Sequence, residues 1–301
     1  MRSKMAVVVG SLFFLSALGV VSGQVSENPP PDEAFTVTSK VTYTEGANGP
    51  LLADVYIPKR TGVFPGVVFI HGGGWKNGDR NQMIKLIKAL AEDGYVCMTI
   101  EYDVDPVPFP SSFHESLAAV KFFRDHASEY HLDPAHVAVA GSSAGGELAA
   151  LVGLNPDAKP YDELTGSASH AKKAPATAVQ AALIFNGALD LTYGDDKSGS
   201  VADYLGGTCA SRPRECKDAS PLFNVHPGAP PFYVGHGTVD QSVPFAEAVA
   251  FTDALKKAHV PVEFFKAENG KHTYWADPRF YDDNLKHIKA FLVLHLRNSK
   301  P

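Results

Sequence analysis

The chain has no surplus of basic residues: 27 lysines and arginines stand against 33 aspartates and glutamates, a formal charge of −6. A phosphate backbone is gripped by clustered cations along one face, so the composition gives no footing for nucleic acid as a partner. Metal-ligand spacing is missing as well. Twelve histidines are present, yet no H-x-x-x-H or H-E-x-x-H pair falls on a helical stretch, and neither metal nor cofactor is expected. Cysteine is scarce, at three residues. There is no internal repeat, and no biased stretch beyond a Pro-rich segment at 28–33. After the first 23 residues no apolar run is long enough to cross a bilayer.

What remains is ordinary globular material, 45% hydrophobic and 20% charged over 301 residues, enough for one large α/β domain. The start reads as an address. Arg2 and Lys4 precede an apolar run at 5–21 that Gly10, Ser11, Ser16 and Gly19 interrupt, and Val21-Ser22-Gly23 offers small residues before Gln24. That is a secretory signal pattern, with export to a periplasm or the medium and no membrane contact after cleavage. An uncleaved anchor is the alternative, since the run approaches the roughly 20 residues of a span. The expected organisation is a signal peptide at 1–23, a Pro-rich linker at 24–34 and a single α/β domain at 35–301.

An oxidising destination suits the cysteines. Cys209 and Cys216 flank a polar, Pro- and Arg-containing loop, poor material for a thiolate metal site, and are read as a local disulfide. Cys97 lies inside the apolar run YVCMTI and is read as a small buried hydrophobe.

From residue 35 onward, strand-like and helix-like segments alternate as in a βα-wound sheet. Residues 36–43 and 51–57 form a candidate antiparallel pair. Short apolar runs at 67–70, 95–100, 137–140, 179–185, 232–235 and 262–265 suit strands of a mostly parallel central sheet. Helical spacing occupies 83–92, 111–130, 144–152, 244–258 and 280–296. Between 155 and 178 the pattern dissolves into polar, small-residue sequence, read as a surface insertion bordering the site.

Four motifs fall at the carboxyl ends of these strands, where open α/β sheets place their functional crevice. Gly141-Ser142-Ser143-Ala144-Gly145 is a G-x-S-x-G turn between strand and helix, with Ser143 at its apex and glycines leaving room for strained backbone. A plain βα turn is the bland reading of that motif alone. His71-Gly72-Gly73-Gly74-Trp75 follows another strand; a glycine run there lets backbone N–H groups approach a developing oxyanion. Gly73, Gly74 and Ala144 are the expected donors, and His71 is expected to hold the loop. Asp240, in HGTVDQSVP, and His272, in NGKHT, follow two later strands, giving the chain order Ser, Asp, His. Asp190 is a rival acid but lies on the wrong strand.

The HGGGW loop, the GSSAGG elbow and the HGTVDQSVP and GKH segments resemble the α/β-hydrolase esterases related to hormone-sensitive lipase, closest to bacterial carbohydrate esterases such as acetylxylan and feruloyl esterases. The resemblance covers roughly residues 35–296. It implies an α/β-hydrolase fold with Ser143 as nucleophile, His272 as base, Asp240 as orienting acid and the oxyanion donors already named. One departure stands out: many relatives carry Tyr-Arg where this chain has Tyr102-Asp103, which puts the loop after that strand in question.

The function expected is cleavage of short-chain carboxylic esters, with acyl groups on carbohydrate as the favoured substrates. Trp75, Tyr274 and Trp275 are candidate substrate-binding rings for stacking on sugar faces, or else simply pack the loops. A general carboxylesterase or lipase of the hormone-sensitive lipase type is the alternative, and a serine peptidase of the same fold a further one. Oligomeric state is not legible.

Overall fold

The computed structural model describes residues 34–156, 177–193 and 199–297. The expected signal peptide and nearly all of the linker fall outside these residues, as does most of the 155–178 insertion.

Eight strands form one sheet: β1 (Phe35–Gly46), β2 (Gly49–Pro58), β3 (Phe64–Ile70), β4 (Val96–Ile100), β5 (Leu132–Ser142), β6 (Ala181–Phe185), β7 (Phe232–Gly237) and β8 (Val262–Ala267). Their order is β1-β2-β4-β3-β5-β6-β7-β8. The pairs β1–β2 and β2–β4 are antiparallel and all others parallel. This is the α/β-hydrolase fold. β1 is mostly exposed along its length, as an edge hairpin strand should be, whereas β4 and β6 are buried at every position. Continuous Val, Ile, Leu and Ala runs build such strands because helices cover both faces.

The period of two along each strand divides the core. Val68 and Ile70 of β3 and Val137 and Val139 of β5 point into one cluster, with Leu117, Val120 and Phe123 of α2 (Ser111–Asp125). Leu148 and Leu151 of α3 (Ala144–Leu154) and Phe251 and Leu255 of α6 (Phe245–Lys257) join the same cluster. Val67, Phe69, Ala138 and Ala140 point to the opposite face. There they meet Leu86, Ile87 and Leu90 of α1 (Ile84–Glu92) and Ile288, Phe291 and Leu292 of α7 (Pro278–Leu292). Asp277 caps α7, accepting the Arg279 N–H at 3.0 Å, with Pro278 at the first helical position.

The second helix is shorter than its pattern predicts. It stops at Asp125 rather than 130, because the chain must reverse into β5. His131 takes a left-handed φ of 54°, and the Leu132 N–H returns to Ala127 O at 2.9 Å.

Two short helices, α4 (Ser200–Leu205) and α5 (Pro213–Asp218), fall where no element was expected. Tyr204, Leu205 and Cys216 anchor them in a small third cluster with Trp75, Ala144 and Leu191. Cys209 and Cys216 are joined by a disulfide across this segment, and Cys97 is free and buried, as expected. No helix among the described residues is long and apolar enough to cross a membrane.

The loop after β4, where the resemblance implies an arginine and this chain has Asp103, is held by that aspartate. Asp103 is buried and accepts the Ala47 N–H and, at 3.4 Å, the Asn48 amide, tying the β1–β2 turn to this loop. Its own N–H donates to Glu115 at 2.8 Å. Tyr102 donates to His71 O at 3.0 Å and stacks on the His71 ring at 4.3 Å.

Candidate active site

β5 delivers Ser143 through a turn that only its glycines permit. Ser143 has φ 57° and ψ −122°, a conformation disfavoured for any side-chain-bearing residue. A Cβ on Gly141 would lie 2.0 Å from Gly145 O, and one on Gly145 would lie 2.3 Å from the carbonyl oxygens of both Ile70 and His71. Crowding by β3 on one side and α3 on the other therefore fixes the serine above the sheet. Ser142, by contrast, continues the strand and is buried.

β7 and β8 supply the partners. His272 Nε2 is 3.0 Å from Ser143 Oγ, and its Nδ1 is 2.8 Å from Asp240 Oδ2. Three residues scattered over 129 positions of chain are thus one hydrogen-bonded relay. The Nδ1–H donates to the carboxylate, which leaves Nε2 with a lone pair for the serine proton. Asp240 is buried and accepts from the Ser242 and Val243 N–H groups at 2.8 and 3.1 Å. Burial alone would raise its carboxyl, but bonds from His236 and His272 and the Val243 N–H outweigh that and hold it well below the usual carboxylate range. It stays ionised throughout the neutral region. Asp190, the rival acid, instead caps its own turn by accepting the Thr192 N–H at 3.0 Å.

The β3 loop borders the serine. Gly73, with φ 136°, packs so closely on Asn77 that a Cβ would lie 1.8 Å from Asn77 O. Among the described residues, the N–H groups of Gly73, Gly74 and Ala144 donate to no protein acceptor, and all three residues line the cavity that contains Ser143. His71 is buried, with Nδ1 2.8 Å from Gly72 O, and burial lowers its pKa. It holds the loop, as its position suggested.

The cavity measures about 760 Å³. Leu191, Val201 and Val243 give it apolar wall; Gln241, Ser242, Thr273, Ser200, Asp190 and Glu247 give it polar wall. Burial pushes the Glu247 carboxyl up to about 7, against the opposing pull of the Asp190 and Leu189 N–H groups.

The three candidate substrate-binding rings part company. Trp75 lines the cavity, but one face stacks on Tyr204 at 4.4 Å and its Nε1 donates to Glu147 at 3.1 Å, so it is wall and not a free platform. Tyr274 and Trp275 are not at the site. The 3₁₀ turn Tyr274–Ala276 directs both inward, where they are 1% and 8% exposed within the core beneath β7 and β8. The Tyr274 hydroxyl lies against Gly235, where a Cβ would approach it to 1.9 Å. The exposed aromatic ring at the cavity is Tyr193.

Two site residues escaped the sequence reading. His236, fully buried at the end of β7, reaches Asp240 Oδ2 at 3.2 Å and Val243 O at 3.0 Å with the same nitrogen. Its place four residues before the acid was the available signal. Asn186, just after β6, lies beside the His272 ring; nothing in its sequence neighbourhood marks it.

The sheet order defines the class: an α/β-hydrolase fold, with Ser143 at a strand–helix elbow within hydrogen-bonding reach of His272. The chain belongs to the BD-FAE family, whose model matches residues 53–255. It is 31% identical over 260 residues to esterase LipQ of Mycobacterium tuberculosis, a match covering 82% of this chain and 59% of that protein. It is 32% identical over 223 residues to the probable carboxylic ester hydrolase LipM of the same organism, covering 71% and 50%. The matches therefore span only half to three-fifths of those relatives' length. Among solved structures, the esterase Est2 of Thermogutta terrifontis superposes with a TM-score of 0.72 at 28% identity, covering 91% of this chain and 97% of that one. A truncated carbohydrate esterase from gut microbiota shares the fold, with a TM-score of 0.74 at 19% identity, covering 88% and 100%.

Proposed function

We propose that this protein is an exported carboxylic ester hydrolase acting through an acyl-enzyme on Ser143. The observation that carries the reading is the unbroken chain from Ser143 Oγ through His272 to Asp240, at 3.0 and 2.8 Å. His272 takes the serine proton as Oγ attacks the ester carbonyl, and the ionised Asp240 stabilises the resulting imidazolium. Gly73, Gly74 and Ala144 direct free N–H groups at the oxyanion. His272 then protonates the leaving alcohol, and water repeats the attack to free the acid. Relatives named as esterases support the same chemistry.

Short acyl groups on a hydroxyl-rich alcohol, such as acetylated sugars, fit the cavity best. Gln241, Ser242, Thr273, Asp190 and Glu247 offer hydroxyl partners, and Tyr193 offers an exposed ring for a sugar face. Structures of Est2 with butyrate and propionate bound support the short acyl chain. The experiment compares aryl acetate, butyrate and octanoate esters, then acetate release from acetylated xylan. Rates should fall toward octanoate, with acetate released from the polymer. A rate climbing to octanoate, with no acetate from xylan, would make the protein a general lipolytic esterase. Export through the leader at 1–23, supported by the Cys209–Cys216 bond, predicts a mature chain starting near Gln24 by intact mass.

A further inference from the structure

Asn186 sits where it can act on the proton relay, and its amide oxygen is buried without a partner. It follows the last residue of β6, is fully buried, and adopts a left-handed φ of 42°, which asparagine tolerates better than most residues. Its own N–H is anchored to Gly235 O of β7 at 2.8 Å, while the preceding carbonyl, Phe185 O, accepts the Ser143 N–H at 3.0 Å. The side chain is therefore clamped between the nucleophile's turn and the strand that carries the acid. Its amide terminus lies 3.3 Å from His272 Nε2 and 3.4 Å from Nδ1.

With the amide nitrogen toward the ring, both ends of the amide fail. Nδ1 gives its hydrogen to Asp240 and Nε2 faces the Ser143 hydroxyl, so neither ring nitrogen has a lone pair left to accept from Asn186. The far end, Oδ1, is buried with no donor. A half-turn of the amide places the carbonyl oxygen against the ring instead, almost equally far from both nitrogens. An atom at these distances from both nitrogens lies over the ring face, against the N–C–N edge that carries the positive charge of an imidazolium. Amide orientation is decided by such partners.

We infer that Asn186 is a positioning residue that turns its carbonyl dipole to His272 and stabilises the imidazolium formed when Ser143 attacks. The inference rests on the triad reading. It concerns one half-reaction: the proton moves from Ser143 Oγ to Nε2, the ring gains a unit charge, and Oδ1 meets that charge without forming or breaking a bond. The charged and titratable groups around the ring are few. Asp240, backed by His236, faces it from the β7 side; Ser143 faces it from the β5 turn; Asp190 and Glu247 lie across the cavity. Asn186 adds the β6 side.

The test is the pH dependence of kcat/KM for an aryl acetate in wild type, Asn186→Leu and Asn186→Asp. Losing the carbonyl in Asn186→Leu should destabilise the charged ring. The acid limb should move to lower pH by about half a unit or more, with kcat lowered about tenfold and KM little changed. Asn186→Asp, which adds negative charge, should move the limb upward. A filler role would leave the limb in place, and an amide N–H facing the ring would send the Leu variant's limb upward; either result overturns the inference. If Asn186→Leu fails to fold by thermal melt, Asn186→Ala decides with the same downward shift expected, because the added charge of Asn186→Asp raises the limb whatever the orientation of the native amide. Wild type that a fluorophosphonate does not label at Ser143 would remove the triad reading, and the inference with it. Labelled, active wild type with an unmoved limb removes the inference only.

Discussion

Two buried carboxyls at the site are driven in opposite directions. Asp240 is surrounded by donors and held ionised, whereas Glu247 receives two N–H groups through one oxygen and is pushed up to about 7 by burial. Asp240→Asn should fold but lose turnover by about 10⁴, because an amide leaves the imidazole in the wrong tautomer. Steady-state kinetics on folded variant check this, and wild-type-like turnover would reassign the acid. Glu247 makes a stability prediction. Its carboxyl binds a proton more tightly folded than unfolded, where it returns to its ordinary value of 4.5. Folding is therefore favoured below that range and loses stability as pH rises from about 4.5 through about 7. Glu247→Gln keeps an acceptor for both N–H groups and removes the ionisation. It should gain about 2 kcal/mol relative to wild type near pH 8 and almost nothing near pH 4. Urea midpoints at both values measure it, and an equal gain at each would mean that ionisation is not the cause.

At the scale of elements, Glu147 joins three segments that wall the cavity. From α3 it receives Trp75 Nε1 of the β3 loop at 3.1 Å and the Tyr204 hydroxyl of α4 at 3.3 Å. Burial raises its carboxyl well above the usual range, against the pull of the Trp75 and Tyr204 bonds, and a neutral glutamine offers an acceptor in its place. Glu147→Gln should stay within about 1 kcal/mol of wild type, while Glu147→Ala strands two buried donors and costs about 2–4 kcal/mol. Denaturant melts distinguish the two. This wall was also the part least legible in sequence. All eight strands were visible: the parallel ones as short apolar runs, and β1 and β2 as a candidate antiparallel pair. α4 and α5 are six residues each, too short for a helical period, and their apolar anchors pack on a loop more than 100 positions away. The motifs likewise pointed by order and strand position to Ser143, Asp240 and His272, which the fold brings within hydrogen-bonding distance. They could not disclose which way Tyr274 and Trp275 face, since a three-residue 3₁₀ turn decides that after the motif has ended.

Across the whole molecule, the sheet order makes a site from distant segments. Crossovers place β3, β5, β6, β7 and β8 side by side and parallel, so their carboxyl ends open on one edge. Ser143, the Gly73–Gly74 loop, Asp240 and His272 arrive there from four different strands, and the fifth brings Asn186. The chain's negative balance plays no part in that geometry; it bears on association and solubility. What the arrangement requires is that one serine, and not its neighbour, be the nucleophile. Labelling the protein with a fluorophosphonate, then mapping the adduct by peptide mass spectrometry, tests this most directly. The label should reside on Ser143, disappear in Ser143→Ala together with about 10⁶-fold of ester turnover, and persist in Ser142→Ala. A label on Ser142, or ester hydrolysis that survives in Ser143→Ala, would contradict the account.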